Sequence, residues 1–140
     1  MVFYLGSMPC LSANEVKILE IARVGLDEEN SVRLRLQMDL VECVRPMFLG
    51  RFRITYVMRR PEARLTGRLG RGRHCLAKID LKTKTGSNRV AVVIDDGWLD
   101  SLDFKTRPGR NYEVCGLSKS QKWVDSEKAL NRLEHGSDDL

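Results

Sequence analysis

The chain has 140 residues, 42% of them apolar and 31% charged, with 24 Lys and Arg against 19 Asp and Glu and a formal charge of +5. That length suits one compact domain with a real core, and the composition is too apolar for a disordered chain. No run approaches the roughly 18 consecutive apolar residues that a membrane span needs. The apolar N-terminus is broken by Gly6, Ser7 and Pro9 and has no basic leader, so no signal peptide is expected.

Hydrophobic periodicity predicts a mostly β chain. Glu15 to Val24 followed by Ser31 to Val41 reads as an N-terminal β-hairpin with G-L-D-E-E-N as its loop. In the second arm Val32, Leu34, Leu36, Met38 and Leu40 alternate with Arg33, Arg35, Gln37 and Asp39. A strand is expected over 48–58, with Phe52, Ile54, Tyr56 and Met58 inward and Arg51, Arg53 and Thr55 outward. Pro46 just before it suits a strand start or corner. Further strands are expected over 75–83, 89–95 and 111–117, the middle one an unbroken apolar run that reads as central. Asp96-Gly97 breaks that strand, and Trp98 to Phe104 reads as one or two helical turns because its apolar residues do not alternate. A short amphipathic helix with Val124, Leu130 and Leu133 as anchors is expected near the C-terminus. The organisation is then an N-terminal segment (1–14), a β-barrel domain (15–123), and a helix with an acidic tail (124–140).

Charge is concentrated rather than large. From Arg45 to Arg73 there are nine arginines and one acid, Glu62, so the rest of the chain is net acidic. Guanidinium groups pair bidentately with phosphate, and interleaved glycines let a backbone come close to a ligand. Arg51, Arg53, Arg59, Arg60, Arg64, Arg68, Arg71 and Arg73 are therefore candidate contacts to single-stranded DNA or RNA. The alternatives are a solvated loop or an acidic protein partner. Aromatic residues are only 6% of the chain, thin for a base-stacking platform, so backbone contacts are expected over base reading. Phe52 and Tyr56 are expected in the core, and Trp98, Phe104, Tyr112 and Trp123 in core or interface.

Catalytic signals are weak. His74 and Cys75 are adjacent and, on a strand, point to opposite faces. Cys10, Cys43, Cys75 and Cys115 lack zinc spacing and read as buried reduced thiols. Asp95, Asp96, Asp100 and Asp103 read as turn and helix-start acids rather than a metal cluster. The glycines at 67, 70 and 72 match neither dinucleotide nor P-loop order. No enzyme activity, metal or cofactor is expected.

The run Val90 to Leu117, with P-G-R-N-Y-E-V-C-G-L at its end, resembles the strand following the helix in OB folds. Over about residues 48–135 the chain resembles small OB-fold subunits of replication protein A-like and telomere-capping complexes. That resemblance implies a single OB-like β-barrel whose C-terminal helix docks on a partner; an immunoglobulin-like β-sandwich is the alternative. An alternative threading makes the arginine stretch the helix between barrel strands. Arg60-Pro-Glu-Ala-Arg64 also has the R-x-x-x-R spacing seen in PilZ barrels, without their second motif. The function expected is a non-catalytic subunit of a nucleic-acid-binding complex in genome maintenance or telomere protection. A pure protein-interaction module is the alternative. A protein partner, no membrane, and a nuclear or cytoplasmic rather than secreted location complete the expectation.

Overall fold

The structure is a computed structural model that describes residues 10–109 and 111–118. Two helices, α1 (Ala13–Val24) and α2 (Glu28–Asp39), come first. Six strands follow: β1 (Val41–Leu49), β2 (Phe52–Arg59), β3 (Arg73–Thr83), β4 (Gly86–Asp95), β5 (Trp98–Phe104) and β6 (Glu113–Leu117). They form one antiparallel sheet in the order β1-β2-β5-β4-β3-β6, with β1 and β6 as its edges, so the sheet is not closed. The chain is mostly β: a six-stranded antiparallel sheet with two helices.

The expected N-terminal hairpin is instead a helical pair. α1 opens on a capping box: Ser12 Oγ accepts from the Glu15 amide, and the Glu15 carboxylate accepts from the Ser12 amide. Asp27 caps α2 by accepting from the Asn30 amide, and Glu28 and Glu29 sit in its first turn, where acids are favoured. D-E-E-N is therefore a helix start, not a hairpin loop. The alternation over 31–41 is accidental. α2 buries Leu34, Gln37 and Met38 at spacings of three and four, and leaves Val32 and Leu36 exposed. Leu, Arg, Gln, Met and Glu are also strong helix formers, so local propensity agrees.

The helices cover one face of the sheet. Ile18, Leu19 and Ala22 of α1 and Leu34 and Met38 of α2 join Ala77, Ile79, Val90, Val92, Leu102 and Phe104 in one core. Trp98 to Phe104 is a strand, not helical turns. Its alternation fails because of a β-bulge: Leu99 pairs with Ile94 and Ser101 with Val93, leaving Asp100 as the extra residue. Leu99, Leu102 and Phe104 can then all be buried.

β2 has the opposite phase from that expected. Thr55 lies opposite Leu102 and Val57 opposite Val44, so Arg53, Thr55 and Val57 face the helices. Phe52, Ile54, Tyr56 and Met58 go to the uncovered face, where Phe52 and Met58 are exposed. Phase in a strand is set by its ladder neighbours, and a shift of one residue exchanges the two faces. Pro46 lies within β1, where its missing N–H is tolerated because β1 is an edge. Val124, Leu130, Leu133 and Trp123 lie outside the described residues.

Candidate nucleic-acid interface

The register defines two ends of the sheet. At one, β2 ends at Arg59, β3 starts at Arg73, and β4 turns into β5 through Asp96-Gly97. At the other lie the β1–β2 turn, the β3–β4 turn and the β5–β6 connection.

The arginine stretch is a built loop at the first end. The Arg60 amide donates to the Leu40 carbonyl (2.9 Å), which fixes the exit from β2. Pro61–Leu65 then makes a short 3-10 turn with Ala63 buried beneath it. Leu69 is fully buried, and its amide donates to the Gly97 carbonyl (2.8 Å); the Asp96 amide donates back to the Gly72 carbonyl (2.8 Å). The loop is thus stitched to the β4–β5 turn by backbone.

Gln37 of α2 holds both pieces. Its buried side-chain amide donates to the carbonyls of Gly67 (2.9 Å) and Gly97 (3.0 Å), and its oxygen accepts from the Leu99 amide (2.7 Å). Three backbone groups, two of them buried, are satisfied by one side chain. The alternation over 31–41 predicts Gln37 on the outward face of a strand. Its burial follows only from the helical spacing Leu34, Gln37, Met38. Gly97 is equally constrained. Its φ is +92°, and an added Cβ would lie 2.4 Å from the Arg68 Cβ and 2.8 Å from the Gly70 carbonyl oxygen.

The candidate arginines divide in space. Arg59 and Arg68 each hold a guanidinium 5.9 Å from the centre of the half-buried Trp98 ring. Arg60 and Arg64 line the same shallow hollow of about 200 Å³ with Arg59, Pro61, Ala63 and Trp98. Arg68 and Arg73 are already engaged by acids. Arg68 pairs with Asp96 (3.8 Å), and Arg73 pairs with Asp100 (2.8 Å). The hydrogen bond to Asp100 raises the Arg73 pKa further above its ordinary value, with Asp103 and Asp95 adding to it. Arg59, Arg60, Arg64 and Arg71 pair with no carboxylate among the described residues.

Arg51 and Arg53 do not join this group. Six strand rises along β2 separate Arg53 from Arg59, about 20 Å. Arg51 is in the β1–β2 turn. Arg53 faces the helix side, 4.0 Å from the buried Glu15 carboxylate and 5.4 Å from the Phe104 ring centre. It borders a cleft of about 650 Å³ with Phe48, Arg107 and Tyr112. Burial and the Glu15 charge push the Tyr112 hydroxyl up to about 12. Phe104 is core, packed edge-on against Tyr112.

His74 is half-buried, and both ring nitrogens lack hydrogen bonds among the described residues. Burial lowers its pKa more than the nearby Gly72 and Arg71 carbonyls raise it. Burial also raises the Cys75 thiol, away from nucleophilic character. Of the cysteines expected to be buried, Cys43 is; Cys75 is partly buried, and Cys10 and Cys115 are exposed, all four as free thiols.

The fold and this end of it define a small antiparallel β protein with a rigid basic loop around an accessible indole. Comparison with protein-family models, with curated proteins and with solved structures finds no match. Among the described residues no helix is long and apolar enough to cross a membrane.

Proposed function

We propose that the chain is a non-catalytic nucleic-acid-binding protein whose arginine loop tracks the phosphates of a single strand. One observation carries this reading: Arg59, Arg60 and Arg64, with no carboxylate partners among the described residues, converge on the half-buried Trp98. Charge and a π-face then lie together on a pinned backbone, so little ordering entropy is lost on binding. Arg68 also lies against Trp98, and Arg71 extends the charge along the loop. In the finer reading the sheet is an opened OB-like barrel rather than an immunoglobulin-like sandwich. The support is that all six strands share one sheet over one core, whereas a sandwich divides its strands between two. On that reading the protein is a nuclear or cytoplasmic subunit of a genome-maintenance or telomere-protection complex, held there by a protein partner.

The test is fluorescence anisotropy with single-stranded DNA, single-stranded RNA and duplex across a salt series. Four phosphate contacts, from Arg59, Arg60, Arg64 and Arg71, give a log–log salt slope of about −2.8 on a single strand. A folded protein that binds no strand at low salt refutes the reading and leaves the protein-interaction module.

A further inference from the structure

The opposite end of the sheet carries a different surface. β1 and β2 are joined by the two-residue turn Gly50-Arg51, with Gly50 at φ +60°. Around it Met47, Phe48, Leu49 and Phe52 are 48%, 50%, 51% and 56% exposed. Met47, Leu49 and Phe52 share the uncovered face of the hairpin tip and Phe48 lies on its helix side, so the tip exposes large apolar side chains on both faces, as interaction sites do.

The charges around that tip have one sign. The β3–β4 turn and the β5–β6 connection share this end, and across the three segments Arg51, Lys82, Lys84, Lys105 and Arg107 are exposed. There is no acid from Val44 to Tyr56, from Leu81 to Ala91, or from Phe104 to Asn111. The bordering carboxylates are Glu113, at the start of β6, Asp80, Asp103, and Glu15, which is buried beside Arg53. Arg107 lies over the Phe48 ring at 4.5 Å, an apolar body with a cationic head.

We propose that this end docks on an anionic lipid surface, with the β1–β2 tip placed among the acyl chains and the surrounding Lys and Arg groups on the headgroups. Such contact requires no membrane-spanning segment. Charge complementarity selects an anionic surface, and the aliphatic Met47 and Leu49 select lipid over nucleic acid. A hydrated phosphodiester chain offers those two side chains no burial, whereas hydrocarbon does. Apolar insertion and a basic collar are both required, because either alone holds a protein only weakly to a bilayer. This inference is independent of the arginine-loop reading, which concerns the other end of the sheet.

The experiment is co-sedimentation of the full chain with vesicles of phosphatidylcholine alone and of three parts phosphatidylcholine to one part phosphatidylserine. Binding is expected to the mixed vesicles and not to the neutral ones. Leu49→Ser with Phe52→Ser is expected to weaken it at least about tenfold. Lys84→Ala with Lys105→Ala is expected to weaken it about tenfold. Arg60→Ala with Arg64→Ala, at the other end, is expected to leave it unchanged. Circular dichroism and urea midpoints establish that each variant folds, and the two lysine changes test the proposal even if the tip variant does not. No binding to mixed vesicles, equal binding to neutral ones, or indifference to both tip-end variants overturns the proposal. Loss in the Arg60 and Arg64 variant alone also overturns it and assigns the lipid contact to the arginine loop. If the tip variant loses single-stranded DNA instead of vesicles, the hairpin belongs to nucleic acid and the lipid proposal is wrong.

Discussion

At the arginine-loop end, the chain has its densest run of positive charge, yet Asp96 and Asp100 occupy two of the guanidinium groups. At the hairpin-tip end, the positive charges come from three separate stretches of sequence, and none of those stretches contains an acid. The first end is rigid: backbone bonds between the loop and the β4–β5 turn, and the Gln37 bridge, hold it in one shape. At the second, buried Asn88 holds the β5–β6 connection by donating to the Thr106 carbonyl (2.7 Å) and accepting from its amide (3.1 Å), while the two-residue β1–β2 turn carries the exposed apolar side chains. Local charge density in a sequence is therefore a poor measure of available charge. What a surface offers a polyanion is the charge left after neighbours in space have been counted.

The largest effects separating the two ends are expected from Gln37→Leu and Gly97→Ala. The first leaves the part-buried Gly67 carbonyl and the buried Leu99 amide without this partner and the Gly97 carbonyl with only the Leu69 amide, at about 1–3 kcal/mol for a buried group left unpaired. A loss of about 2–3 kcal/mol in urea denaturation is expected, and a loss below about 1 kcal/mol would mean that the bridge does not brace the loop. Gly97→Ala at the same turn is expected to cost about 2–4 kcal/mol, from positive φ and contact with the Gly70 backbone together. Neither change is expected to alter vesicle binding of protein that remains folded.

Smaller effects sharpen the charge argument. Arg60→Ala with Arg64→Ala is expected to reduce the salt slope on single-stranded DNA by about 1.4, read from anisotropy between low and moderate salt. Asp96→Asn with Asp100→Asn is expected to do the reverse. It frees Arg68 and Arg73, tightens single-strand binding several-fold, and changes stability by about 1 kcal/mol or less because both pairs are partly exposed. Unchanged affinity in that variant would show that these arginines never reach the strand.

The smallest effect is in pH. The folded pKa of His74 lies below its unfolded value of about 6.5, so the unfolded chain binds the proton first. The His74 contribution is complete above about pH 6.5 and falls as pH drops toward the folded pKa. His74→Gln is expected to flatten that part of the stability–pH curve, measured by urea midpoints on both sides of the window. An identical slope in the variant would place the titration elsewhere.

β3, β4 and β6 were legible in the sequence because each lies between turn residues and carries an unbroken apolar pattern. The two helices were legible too, through S-A-N-E before α1 and D-E-E-N before α2, but an alternation over ten residues outweighed those capping signals. β5 was not legible, because a bulge at Asp100 can be recognised only against its partner strand. Of the site, the arginines of the loop were visible as residues. Trp98 as their meeting point was not, because it lies on the far side of a sheet ladder.

By itself the sequence determined a mostly β chain, the turns near Gly86 and at Asp96-Gly97, and the concentration of positive charge between Arg45 and Arg73, but not the Gly50-Arg51 turn that divides the strand expected over 48–58. These follow from composition and from neighbours in the chain. Only the tertiary structure decided which face of β2 is buried, which arginines are neutralised, and that three distant segments make one basic, apolar end. Those depend on register and on which elements cover which face, and a register shift of one residue would reverse the burial of β2 without changing a single amino acid.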